Sequence, residues 1–379
     1  MKNKKVKEYF LRLKAWGWRM TRTSMWKDAM TALALFSVAV FIMLVTVEIL
    51  VNVLPDPRLF RLDSQWYREI VERGYLTESE VWTQKGIANW AFFPLLPMLA
   101  KGLFALGVAP AMALFFVSGT FFFLSILVFI RFVRMHNKEI PPYVAGGVLA
   151  FMPFSIYAFT GYSEAPFFFF SVLTYMLFKK ERYFLAGLSG ICLTSSRVLG
   201  VLLIPALALP LIKKFWKMSR KKQINIVLSL MMMPLGLAGF MAYLYYHMGD
   251  ALAFQHVQSV WVSTPTYNPF VTLRDGLNAA LTDKYFWFAL FAIGSFVLSA
   301  WYAFKKEYTM AIFLFLYTLL PVSVRLFSYA RYAFWVFPFT LFLAEICAHK
   351  KLARYLFPIM QILLVFVYYA WMMGASWTI

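Results

Sequence analysis

Asp63, Trp66, Tyr67 and Ile70 follow i, i+3, i+4, i+7 spacing, which gathers a carboxylate and two aromatic rings on one face of a helix. A carboxylate within hydrogen-bond reach of a hydroxyl can act as a general base, and this face suits a sugar held near a lipid headgroup. A second carboxylate, Glu164, stands in Gly161-Tyr162-Ser163-Glu164-Ala165-Pro166 ahead of a Phe-rich apolar run, with Tyr162 beside it. Three arginines are isolated in apolar sequence: Arg197 after Thr194-Ser195-Ser196, and Arg325 and Arg331 flanking Leu326-Phe327-Ser328-Tyr329-Ala330. Together they could form a fork of donors for a phosphate. Gln255 and His256 follow Gly249-Asp250-Ala251-Leu252-Ala253-Phe254 and add two further polar groups.

Each residue also has a plainer reading. Asp63 could cap the helix it opens, although no Glu or Gln three residues on completes a capping box. Glu164 could answer the positive end of a helix dipole, the arginines could snorkel to headgroup phosphates, and His256 could make an ordinary hydrogen bond. Arg68 with Glu72 and Glu69 with Arg73 are i, i+4 pairs of a solvated face.

The elements that must position these groups are membrane helices. Of the 379 residues, 62% are hydrophobic and 14% charged, more apolar surface than a soluble globule of this size can hide. Apolar stretches long enough to cross about 30 Å of hydrocarbon recur along the chain, and a helix satisfies its own backbone in lipid. The first stretch follows 27 residues carrying nine Lys/Arg and lacks a small-residue cleavage pattern, so it reads as a retained helix. The net charge of +20 falls in short clusters between the apolar segments: the N-terminus, 131–138, 179–182, 213–222, 305–306 and 350–354 hold 26 of the 37 Lys/Arg. That is the positive-inside pattern, and the clusters answer to anionic membrane lipids with no need of nucleic acid.

With the N-terminus cytoplasmic, the alternation predicts an all-α polytopic protein forming a single domain over 1–379. About eleven spans lie near 28–50, 111–131, 142–159, 164–178, 183–196, 198–212, 224–247, 285–304, 309–324, 332–347 and 354–373. Two long outer loops cover 51–110 and 248–284, and the first contains an interfacial apolar segment at 94–106, too short to span. Cys192 and Cys347 fall near opposite membrane faces and read as apolar fillers. No Gly-rich phosphate loop, His/Cys metal spacing, nucleophile elbow or kinase signature is present, so no cofactor is expected, with a divalent metal left open.

Six blocks in order carry a family resemblance: Leu62-Asp63-Ser64-Gln65-Trp66-Tyr67 with Gly74-Tyr75; Ala91-Phe92-Phe93-Pro94-Leu95-Leu96-Pro97; Gly161-Tyr162-Ser163-Glu164-Ala165; Leu185-Ala186-Gly187-Leu188 leading to Arg197 and Gly200; Gly249-Asp250-Ala251-Leu252-Ala253-Phe254 with Trp261; and Ser328-Tyr329-Ala330-Arg331-Tyr332 with Phe337-Pro338. From Asp63 to about Ala344 the chain resembles the PIG-V-like mannosyltransferases, bacterial relatives of the second mannosyltransferase of GPI-anchor assembly, within the GT-C glycosyltransferases. The resemblance implies a GT-C bundle in a bacterial cell membrane, with its site on the extracytoplasmic face. It also implies an inverting transfer of a hexose, mannose by analogy, from a polyprenyl-phosphate donor to a lipid-linked or glycolipid acceptor. Asp63 and Glu164 would then be the catalytic carboxylates, and Arg331, Arg197 and Arg325 would hold the donor phosphate. Trp66, Tyr67, Tyr162, Gln255 and His256 would meet sugar or acceptor. The competing reading is a transporter or flippase of lipid-linked sugars, which also lines its path with broken helices and buried charge. That reading calls for repeat symmetry and polar residues on the cytoplasmic side of the path, and the sequence carries neither.

Overall fold

Apolar runs of membrane-spanning length become helices because no other open structure satisfies its backbone in hydrocarbon. The computed structural model describes residues 2–55, 58–77, 87–260 and 267–375, with side chains described except at 2–23, 259–260 and 350. Trp261, part of the family resemblance, lies outside the described residues. In chain order, α1 (Lys2–Val53), α2 (Asp63–Glu72) and α3 (Leu95–Phe104) precede α4 (Pro110–His136), α5 (Pro142–Phe151), α6 (Glu164–Lys179) and α7 (Tyr183–Ser196). The broken helix α8 (Val198–Phe215) leads to α9 (Arg220–Met248), which bends at Pro234. The chain continues with α10 (Pro269–Leu277), α11 (Lys284–Phe304), α12 (Tyr308–Val324), α13 (Tyr329–Phe334), α14 (Phe337–Ala348) and α15 (Lys350–Met373).

No strand occurs among the described residues. Among the described residues six helices are long and apolar enough to cross a membrane: α1 from Ser24, α4, α8, α9, α11 and α15. The chain is therefore an all-α integral membrane protein. The other predicted spans also contain helix, but in pieces of 10–17 residues. Two of them are interrupted. The stretch at 142–159 stops being α-helical at Phe151, because Pro153 cannot continue the ladder, and it resumes as a 3-10 turn over Pro153–Ala158. The stretch at 332–347 is split between α13 and α14, which restarts with Pro338 in its first turn. The interfacial segment at 94–106 is α3.

Helix α7, which delivers Arg197, packs closely on α9 through small residues, as membrane helices do when their backbones approach. A Cβ at Gly236 would collide with the Ile191 carbonyl and the Ser195 and Thr194 hydroxyls, and one at Gly190 would meet Met233. Thr194 donates to the Met233 carbonyl at 2.7 Å. Gly236→Ala should therefore destabilise the protein by about 1–3 kcal/mol through overpacking. The check is the melting temperature of the detergent-purified variant; an unchanged value would show that α7 and α9 can part freely.

The two ends of the bundle differ in charge. At one end, Arg134 of α4 pairs with buried Asp28 of α1, and His136 lies 3.9 Å from Glu345. Run 179–182 follows the end of α6 opposite Glu164, and its Glu181 pairs with Lys222 of run 213–222; Lys305 acts on the charge of Glu345, the neighbour of His136, and run 350–354 follows Glu345 in the chain.

Candidate functional site

Asp63 is the first residue of α2, and the cap position falls on Leu62, with no side-chain cap bond. The capping explanation of Asp63 therefore does not hold. Its backbone N–H donates to the Tyr162 hydroxyl at 3.2 Å, and its side chain is 33% exposed. Further along α2, the Tyr67 hydroxyl donates to Ser163 Oγ at 3.0 Å, while Trp66 stacks on Phe92 with centroids 6.0 Å apart. Tyr67 is buried and Trp66 half-buried. The outer face of α2 is solvated: Arg68 pairs with Glu72 at 2.7 Å. Glu69, however, accepts from Asn89 Nδ2 at 3.2 Å.

Glu164 opens α6 and is 1% exposed, the position where a carboxylate meets the positive end of the helix dipole. Burial of a carboxylate is costly unless it is paired. Two arginines pair with it: Arg197 Nη1, from the end of α7, lies 2.6 Å from Glu164 Oε1, and Arg331 Nε, from α13, lies 3.3 Å from the same oxygen. Arg331 Nη1 in turn reaches Asp63 Oδ2 at 3.6 Å. The chain thus joins Asp63, Arg331, Glu164 and Arg197 into one network of two carboxylates and two guanidiniums. The Arg331 guanidinium lies over the rings of Tyr157, Tyr162 and Tyr332 at 5.1, 5.2 and 5.0 Å, and Arg197 lies over Tyr332 at 5.1 Å. Cation–π contact of this kind favours a desolvated cation. Among the described residues, Arg331 Nη1 and Nε and both Glu164 oxygens are buried without hydrogen bonds of close geometry, so the network is held by charge more than by hydrogen bonding.

Burial lifts the Asp63 carboxyl above the usual carboxylate range; Arg331 pulls it back down, and the charge of Glu164 adds to the lift. Asp63 is thus a stronger base than a solvated aspartate while remaining partly open.

The remaining sequence-predicted residues make no ion pair with the network; the segment that carries Gln255 and His256 packs beside Trp66 through Val257. Tyr162 is buried beneath Arg331, with its hydroxyl engaged by the Asp63 backbone, so it supports the site from below instead of meeting a sugar. Arg325 donates to the Tyr285 hydroxyl at 2.8 Å, at the start of α11, and makes no ion pair with Asp63 or Glu164. His256 and Gln255 sit on a one-turn helix, Ala253–His256, where exposed His256 places Nδ1 2.7 Å from Oδ2 of half-buried Asp250. The Asp250 carboxyl feels slight burial but is held below its usual range by His256 and the Leu252 N–H. Tyr157, Tyr332 and Trp371 surround the network, and of these only Tyr332 belongs to the six blocks of the family resemblance.

Among the described residues no group of three His, Cys, Asp or Glu gathers in metal-binding fashion. Comparison with protein-family models and with curated proteins finds no match.

Proposed function

We propose that this protein is an inverting glycosyltransferase that moves a hexose from a polyprenyl-phosphate donor to a lipid-linked or glycolipid acceptor at the extracytoplasmic face. The observation that carries this reading is a partly open carboxylate, Asp63, 3.6 Å from a buried guanidinium that shares Glu164 with a second arginine. An open base beside a desolvated cationic pair is what transfer from a phosphate-linked sugar requires. Asp63 takes the proton of an acceptor hydroxyl as that oxygen bonds to the anomeric carbon, and the carbon–oxygen bond to the prenyl phosphate breaks with its electrons passing to the phosphate. Arg331 and Arg197 stabilise the growing charge, and Glu164 offsets and orients the two guanidiniums. The distribution of charge supports this sidedness, since the basic clusters lie at the end of the bundle away from Asp63 and Glu164; the reading takes the chain as a bundle of about eleven spans.

Incubation of the purified protein with a panel of polyprenyl-phosphate sugars and membrane lipid extract should yield, by mass spectrometry, a product one hexose heavier. No product from any donor would overturn the reading. The pH profile gives a second test. A base works only after losing its proton, so turnover should rise with pH through an apparent pKa above the ordinary carboxylate range, as burial of Asp63 requires. A profile flat from acid to neutral pH would be incompatible with Asp63 as the base.

A further inference from the structure

The C-terminal carbonyls of a helix need donors from outside it, and the last turn of α15 receives one from the loop that leads to Asp63. Arg61 Nη1 donates to the Met372 carbonyl at 2.7 Å and lies 3.5 Å from that of Trp371. A cation here also meets the negative end of the helix dipole. Gly374 closes α15 at φ 78°, and a Cβ there would collide with the Arg61 guanidinium. In the opposite sense, Trp371 Nε1 donates to the Leu59 carbonyl at 2.7 Å. Residues 59–61 are therefore tied twice to a single helical turn.

The backbone immediately after this tie is strained. Leu62 has φ 56°, a region branched side chains avoid and which persists only when neighbours impose it. Past it, Ser64 Oγ donates back to the Arg61 carbonyl at 2.7 Å, and the Tyr162 hydroxyl accepts the Asp63 N–H while lying 3.5 Å from that same carbonyl. The Trp371 ring packs on Tyr157 and Tyr162, with centroids 5.3 and 5.6 Å away, the two rings over which Arg331 lies. One turn of α15 thus supports the backbone that aims Asp63 and the rings that seat Arg331.

We propose that Arg61 and Trp371 are positioning residues that set the separation of Asp63 from Arg331, so that the end of α15 tunes the site without contributing a reacting group. The effect on turnover rests on the transferase reading; the effect on the loop does not. Purified wild type, Arg61→Ala, Arg61→Lys and Trp371→Phe are compared by hydrogen exchange of peptides covering 59–67 and by hexose transfer at saturating substrates. Arg61→Ala should speed exchange of 59–67 by about tenfold or more, with peptides of α6 and α7 unchanged, since only the local opening becomes easier. It should also lower kcat by about tenfold or more with donor KM nearly unchanged, because misplacing the base affects the reacting geometry. Arg61→Lys, which still donates to the helix end, should recover part of kcat, and Trp371→Phe, which keeps a smaller aromatic ring and loses the N–H, should fall between. Unchanged exchange of 59–67 in both Arg61→Ala and Trp371→Phe would overturn the proposal, as would faster exchange with wild-type kcat. If the wild type itself transfers no hexose, the transferase reading fails, and the exchange data alone decide whether α15 holds the loop.

Discussion

Asp63→Asn should lower hexose transfer by about 10²- to 10⁴-fold, the range for loss of a general base, while the protein folds and binds donor normally. The substitution keeps the size of the side chain and removes its capacity to accept a proton at neutral pH. No cap is lost, since that position belongs to Leu62, and the backbone N–H to Tyr162 is untouched. One positive charge is then left unmatched, but Asp63 is 33% exposed and Arg331 keeps its contact with Glu164 at 3.3 Å, so the loss of stability should be about 1–2 kcal/mol, below that for removing the buried Glu164 charge. The measurement is turnover of the purified variant alongside its melting temperature and donor binding. Near-normal turnover would remove Asp63 from the chemistry.

Glu164→Gln should act mainly on stability. Arg331 and Arg197 have side chains 4% and 17% exposed, and Glu164, at 1%, touches both. Removing one partner of a buried ionic group leaves uncompensated charge and typically costs about 3–5 kcal/mol. Asp63, at 3.6 Å from Arg331 alone, cannot replace a carboxylate that serves two guanidiniums. Glu164→Gln with Arg197→Gln should lose less than the two single changes together, because residues in one network couple. Thermal unfolding of the four proteins in one detergent provides the test. A Glu164→Gln variant as stable as wild type would mean that the arginines are seated by their tyrosine rings and not by the carboxylate.

How much of this was legible in the sequence depended on residue type. Asp63, Glu164, Arg197 and Arg331 stood out because ionisable groups are costly in apolar surroundings, and the structure brings them together. Arg325 looked the same by that criterion. What separates it from Arg331 is the turn between them, where Ser328 takes φ 62° and sends one guanidinium to Tyr285 and the other to Glu164. Nothing in Leu326-Phe327-Ser328 announces a left-handed serine. His256 stood out as a lone polar group, and the structure shows a partner the spacing did not announce, Asp250 six residues earlier in the same loop. Tyr157 and Trp371 went unseen because aromatics make up 20% of the chain, so a ring that seats a cation cannot be told from one that fills a core. The helices themselves were readable from hydropathy, but the breaks at Pro153 and before Pro338 were not, since prolines are tolerated inside other helices of this chain, at Pro321 and Pro358.

The pairing of Glu164 with Arg197 bears on how the chain enters its membrane. These two charges lie on consecutive helices, α6 and α7, at the ends that meet when the pair folds as a hairpin. A lone charge at the centre of a membrane helix costs about 2.5–3.5 kcal/mol on insertion scales and less near its ends, and a hairpin that brings its own counter-ion lowers that cost. Arg331 is made much later and meets a carboxylate already waiting, so the order of synthesis matches the order in which the charges can be neutralised.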